Sequence, residues 1–202
     1  MVNPHLLLGF TLAVIPICLT PGASVTLVTQ RVLAGGRRDG LLVAAGTATG
    51  LCVHATLAAL GLSAIVMRSA EAFTVIRLLG ALYLVWLGIS TLRATRKARR
   101  LPWTGHGAYV QALLGNVLNP KAAAVYLTLA PQFLDPQRPL LPQIGLLLAA
   151  HVLVAVGWLS IWTQVVAATR QVIGSDRFTV IMSRITGSVL VALGLRSAMP
   201  VA

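Results

Sequence analysis

The sequence predicts an all-α integral membrane protein whose six transmembrane helices form two inverted three-helix repeats. Three observations predict it. Of the 202 residues, 57% are hydrophobic and only 10% charged, with a mean hydropathy of +0.85, whereas soluble domains carry about 25% charged residues. Residues 1–30, 40–67 and 139–169 contain no Asp, Glu, Lys or Arg, and each run exceeds the ~20 apolar residues needed to cross the hydrocarbon core. Two interrupted apolar segments, Thr20-Pro21-Gly22 and Asn119-Pro120-Lys121, lie 99 positions apart. A proline in hydrocarbon frees backbone groups that only protein or a wet cavity can satisfy, and paired breaks in matching halves point to a transporter's binding site.

The elements follow in order. The three charge-free runs supply spans one, two and five. Span three is read over residues 72–92, with Arg77 near its start; span four over 108–134, interrupted at Asn119; span six over 178–199, carrying Arg184. The first thirty residues lack a basic leading region and their apolar run is long, so the first span is expected to be retained. Residues 93–107 form the longest polar stretch, too short to bury a core of its own, so it reads as a loop joining repeat 1 (about 1–92) to repeat 2 (about 108–202). The whole chain is thus a single transporter domain.

The formal net charge of +12 is placed for membranes, not for nucleic acid. Arg31, Arg37, Arg38, Arg93, Arg96, Lys97, Arg99, Arg100, Arg170 and Arg177 fall in the loops after spans one, three and five, with Arg184 beside the same face; only Arg68, Arg77, Arg138 and Arg196 fall on the other side. Basic loops stay in the cytoplasm and meet anionic headgroups, so both termini are expected outside the cytoplasm.

The duplication extends beyond the prolines. A shift of 99 brings Gly46 onto Gly145; near the third span the register slips, and there Arg77-Leu78-Leu79-Gly80 resembles Arg184-Ile185-Thr186-Gly187 and Leu84-Val85-Trp86-Leu87-Gly88 resembles Leu190-Val191-Ala192-Leu193-Gly194, one deleted residue reconciling these two matches. Three spans per repeat, an odd number, force the second repeat to enter inverted, which makes alternating access geometrically natural.

The residues that could carry chemistry cluster at the breaks. Pro21 removes a backbone donor and Gly22 removes bulk, so an unwound turn there would point the next half-helix's amino end, with its partial positive charge, at a substrate carboxylate. Lys121 lies about ten residues into its apolar segment, where an unneutralised charge costs several kcal/mol. It could bind an anionic group, bond to carbonyls freed by Pro120, or snorkel to an interface. Asn119 offers a donor and acceptors for an amino or carboxyl group. All four acids, Asp39, Glu71, Asp135 and Asp176, flank spans, so no carboxylate relay is evident, and His54 and His151 are the candidates for proton coupling. Tyr83 and Tyr126 could line a cavity or pack the bundle. Gly46-x-x-x-Gly50 reads as close helix packing, and Trp158 and Trp162 as a packing or interfacial pair. No residue pattern implies a metal or a cofactor.

Together Thr20-Pro21-Gly22, Gly36-Arg37-Arg38-Asp39-Gly40, Gly46 through Gly50, Gly80 through Gly88 and Asn119-Pro120-Lys121 resemble the LysE-type exporters, including the threonine and homoserine exporters, over nearly the whole chain. The resemblance implies six spans and ion-gradient-driven export of amino acids or close derivatives across the bacterial inner membrane. Family members usually have Pro-Gly-Pro at the first break, whereas Ala23 and Ser24 follow Gly22 here. A site without an intramembrane acid offers no countercharge to lysine or arginine, so a neutral amino acid of threonine or homoserine type is expected as the small-molecule substrate, with lipid as the surrounding partner. The sequence allows a homo-oligomer. Two other classes stand as alternatives: a transmembrane thiol-disulfide carrier using Cys18 and Cys52, which would want one cysteine in each half, and a non-transporting membrane assembly subunit, for which Lys121 would be dispensable.

Overall fold

In the computed structural model the described residues are 3–20, 22–66, 107–168 and the isolated helical positions 75, 78, 82, 85, 86, 89, 184, 188, 191, 192 and 195. They are helical apart from short breaks and one loop at 134–139, with no strands among them. Helix α1 runs Pro4–Leu19, α2 Ala23–Gly35, α3 Arg37–Val66, α4 Ala108–Val117, α5 Pro120–Ala124 and α6 Leu140–Ala168. A π-helical turn, Val125–Leu129, and a 3-10 turn, Ala130–Phe133, extend α5.

Two helices, Arg37–Gly61 within α3 and Leu140–Ala168, are long and apolar enough to cross a membrane. The pair α1 and α2, bent by 49°, makes a third if taken as one broken span. These contain most of the three charge-free runs of the sequence. The segment expected as span four is a chain of short helical pieces, interrupted at Leu118 and Asn119 where the sequence has Asn119-Pro120. Spans three and six fall outside the described residues apart from isolated helical positions, of which Val75, Leu78, Leu82, Trp86, Ile89 and Leu195 are exposed.

Local chemistry explains where the helices stop and start. Asn3 caps α1 by accepting from the His5 amide at 3.0 Å, ahead of Pro4, whose missing N–H is harmless in a first turn. At the far end Thr20 turns extended and its hydroxyl donates to the Pro16 carbonyl at 2.7 Å. Helix α2 ends at Gly36, whose φ of 80° favours glycine, with its amide bonded back to the Val32 carbonyl. At the opposite loop the buried Gln143 of α6 accepts from the Asp135 amide and donates to the carbonyls of Asp135, Arg138 and Pro139, so one side chain fixes the entry to α6.

Packing divides the interior into two layers. One joins Phe10, Val14 and Ile17 of α1 to Leu51 and Ala55 of α3, Tyr126 and Leu129 of the π turn, and Leu147 of α6. The other joins Val28 and Val32 of α2 to Val43 and Ala44 of α3, Ala108 and Ala112 of α4, and Leu159, Trp162 and Val166 of α6. The broken helices change layers at their breaks. Small residues set the closest approach: a Cβ on Gly46 would collide with the Tyr109 carbonyl and meet Ala112 Cβ at 2.9 Å, and one on Gly50 would meet Asn116 Oδ1 at 2.6 Å. The Gly46-x-x-x-Gly50 face of α3 therefore seats α4. Trp158 and Trp162 stack at 5.7 Å between ring centroids, and Trp162 Nε1 donates to Thr29 of α2.

Candidate functional site

A cavity of about 70 Å³ lies where the two layers meet, and both breaks open onto it. Its wall includes Cys18, Thr20 and Gly22 from the first break, Ala23, Ser24 and Val25 from the first turn of α2, Thr47 from α3, Asn116, Asn119 and Lys121 from the second break, and His151 from α6. The volume corresponds to roughly five waters at ~10–15 Å³ each.

The four half-helix ends at this cavity are satisfied differently. The end of α1 is closed by Thr20, as above. Helix α5 is capped by its own sequence, since Asn119 Oδ1 accepts from the Lys121 amide at 3.0 Å. Pro120 has no N–H to give to the carbonyl four residues back, that of Asn116. The carbonyl accepts instead from the Asn119 amide at 2.9 Å and lies 3.0 Å from Nε2 of His54; a carbonyl only accepts, so His54 donates.

The start of α2 is the exception. Gly22 is its N-cap and makes no side-chain cap bond, while Ala23, Ser24 and Val25, whose amides begin the helix, line the cavity. A helix start without a cap presents N–H groups and partial positive charge to an anion. Lys121 reaches toward the same place: its Nζ lies 3.8 Å from where a Cβ on Gly22 would stand. The amine from one break thus sits beside the glycine of the other. Ser24 and Thr47 hydroxyls, 3.3 Å apart, complete that wall.

The aromatic and imidazole groups lie to one side. Nδ1 of His151, 4% exposed, is 3.2 Å from the Tyr126 hydroxyl, and Phe10 packs edge-on against the imidazole. Tyr126 is 1% exposed, set inward by the π turn, and its ring is nearly parallel to that of His54 at 6.4 Å. His151 is on the cavity wall; His54 and Tyr126 stand behind it.

Of the residues singled out in the sequence, Thr20, Gly22, Asn119, Lys121 and His151 meet at one cavity. Pro120 is the first residue of α5, Pro21 and Tyr83 lie outside the described residues, and Cys18 lines the cavity while Cys52 is exposed on α3, both as free thiols. Sequence reasoning passed over Asn116, Ser24 and Thr47. Asn116 was legible in principle, because its carbonyl is the one that a proline at 120 must orphan. Ser24 and Thr47 carry no local signal, being ordinary helical hydroxyls until the fold brings them together. The π turn also gives no sequence signal, though such turns recur at functional sites.

This chain belongs to the LysE type translocator family, whose model matches residues 15–199. It is accordingly a multi-pass membrane transport protein. It is 29% identical over 208 aligned positions to the uncharacterized membrane protein YrhP of Bacillus subtilis (strain 168), covering 96% of this chain and 99% of that one. It is 32% identical to an uncharacterized membrane protein of Vibrio cholerae, with 95% of each covered. A homoserine/homoserine lactone efflux protein of Salmonella typhimurium is 33% identical over 136 residues, 62% of this chain and 63% of that one. No solved structure matches the chain.

Proposed function

We propose that the protein exports a neutral amino acid or close derivative across the bacterial inner membrane by alternating access, binding its carboxylate between the start of α2 and Lys121. The observation that carries this reading is the position of Lys121 Nζ beside Gly22, over a helix start that no side chain caps. A cation at that depth is costly without a partner. A substrate carboxylate would supply one and would draw on the α2 amides as well. Among the described residues the cavity wall has no Asp or Glu, which disfavours lysine or arginine as cargo. The Salmonella efflux protein agrees with a small neutral amino acid.

Alternating access draws support from the packing. Helix α3, third in repeat 1, packs on α4, first in repeat 2; α6, third in repeat 2, packs on α1, first in repeat 1. This reciprocal pairing is what two halves related by a pseudo-twofold axis would give, and it supports the reading of inverted repeats. The basic loops then face the cytoplasm and both termini face outward. His151, on the cavity wall and joined to Tyr126, is the group best placed to couple proton movement to substrate.

The test is uptake of labelled threonine, homoserine, homoserine lactone and lysine into inverted membrane vesicles under an imposed proton gradient. Threonine or homoserine is expected to accumulate and lysine not. Lys121→Ala is expected to lower the rate at least about tenfold, the equivalent of ~1.4 kcal/mol. Unchanged transport in that variant would sink the site assignment, and absence of flux for every amino acid would sink the export reading.

A further inference from the structure

The two buried histidines differ in what their geometry lets them do. His151 faces the cavity, whereas His54 faces the gap that Pro120 leaves in the hydrogen-bond ladder of the fourth span. The Asn116 carbonyl is four residues before Pro120, so its regular helical donor does not exist. The carbonyl accepts instead from the local Asn119 amide at 2.9 Å and, from across the helix interface, from His54 Nε2 at 3.0 Å. It can do so because Gly50, one turn earlier on α3, admits Asn116 at contact distance. Residues 46, 50 and 54 share one face of α3, two glycines and then a donor, and all three engage the same helix.

We propose that His54 is a positioning residue for the second break: by giving a second hydrogen bond to the Asn116 carbonyl, whose regular helical donor is missing at Pro120, it ties the end of α4 to α3 and hence fixes where Asn119 and Lys121 stand at the cavity. The proposal rests on the reading of that cavity as the transport site. The role needs a donor and not a titrating group, since the neutral Nε2–H tautomer and the imidazolium both donate from Nε2. The groups around it are Tyr126, whose ring lies parallel to the imidazole, and, beyond Tyr126, His151; Lys121 stands on the cavity side. No carboxylate among the described residues contacts His54. On this reading His54 holds the break, and His151 is left as the proposed coupling group.

The substitutions that separate these roles are His54→Gln, whose Nε2 amide donor replaces the imidazole N–H but does not titrate, and His54→Leu, which keeps bulk without a donor. Both are to be compared with the parent protein in vesicle uptake across pH 5.5 to 8.5, and in detergent by amide hydrogen exchange over residues 114–122. His54→Gln is expected to keep transport within about threefold, an unchanged pH profile and parental exchange. His54→Leu is expected to exchange at least about tenfold faster over that segment and to transport at least about tenfold more slowly. A flattened pH profile in His54→Gln would overturn the proposal by making titration the function. Parental exchange in His54→Leu would overturn it by showing that the break needs no donor from α3 beyond the Asn119 amide. Should His54→Leu fail to fold, His54→Asn, whose shorter amide falls short of the carbonyl, takes its place with the same expectation. The exchange readout does not involve substrate, so a Lys121→Ala variant that still transports would count against the cavity reading while leaving the exchange result to decide the role of His54.

Discussion

At the scale of single residues, the position that most directly tests the meeting of the two breaks is Gly22. Its backbone, at φ −124° and ψ −163°, is one that any L residue adopts. A Cβ there would stand 3.8 Å from Lys121 Nζ and 3.8 Å from the Thr20 carbonyl, ordinary contact distances. Glycine is therefore not required by the chain's conformation; what it provides is open space at the start of α2. Gly22→Ala is expected to fold normally and to transport within about threefold of the parent, because one methyl leaves the amides reachable. Gly22→Leu is expected to fold as well but to place its branched end against Lys121 and the α2 amides, lowering transport at least about tenfold (~1.4 kcal/mol). Vesicle uptake with a melting temperature measured alongside decides it. A Gly22→Leu protein that melts and transports like the parent would show that substrate does not pass between these two groups.

At the scale of elements, the fold depends on how closely α3 and α4 approach, and that approach has unequal tolerance along one helix. Gly46 faces the backbone of α4, which cannot rotate away, whereas a Cβ at Gly157 in α6 meets no described atom within 4 Å. Gly46→Ala is expected to cost about 1–3 kcal/mol through overpacking and to lower the melting temperature in detergent. Gly157→Ala is expected to be neutral or to raise stability by up to ~1 kcal/mol, since glycine inside a helix is disfavoured to that extent. Equal effects of the two would contradict the described interface. The glycine spacing, the charge-free runs and the interruption at Asn119 were all legible in sequence, because hydrophobic length, small-residue period and proline chemistry act locally. What was not legible depends on contacts between distant segments. Asn119, read as a ligand for substrate, lines the cavity while its side-chain oxygen also caps α5. His54, read as a coupling candidate, also lies 3.0 Å from the carbonyl of Asn116, 62 positions away, a contact that no local pattern announces. The clamp of Gln143 on the loop before α6 has no pattern of its own, since a glutamine near a span end looks like any interfacial residue.

For the molecule as a whole, the decisive question is whether the cavity between the two layers is the compartment that opens alternately to each side. The chain carries its own reporter. Cys18, next to the first break, is on the cavity wall, and the other thiol, Cys52, is exposed on α3. In a Cys52→Ser background, a small membrane-impermeant methanethiosulfonate can therefore act at one place. Thiolates are the reactive species, so the reaction rate reports how far water and reagent reach the cavity. Attachment adds several heavy atoms to a space that holds roughly five waters, and transport is expected to fall to a small fraction of its unmodified rate. Transported amino acid is expected to slow the modification several-fold by occupying the same space, whereas an amino acid that is not transported leaves it unchanged. Because a cavity in an alternating-access protein connects to both faces in turn, labelling is expected from either side of the membrane, in right-side-out and inverted vesicles alike, and in each case slowed by substrate. Labelling from one face only, insensitive to substrate, would describe a fixed surface pocket, and the reciprocal packing of α3 on α4 and α6 on α1 would then be static architecture and not the hinge of a transport cycle.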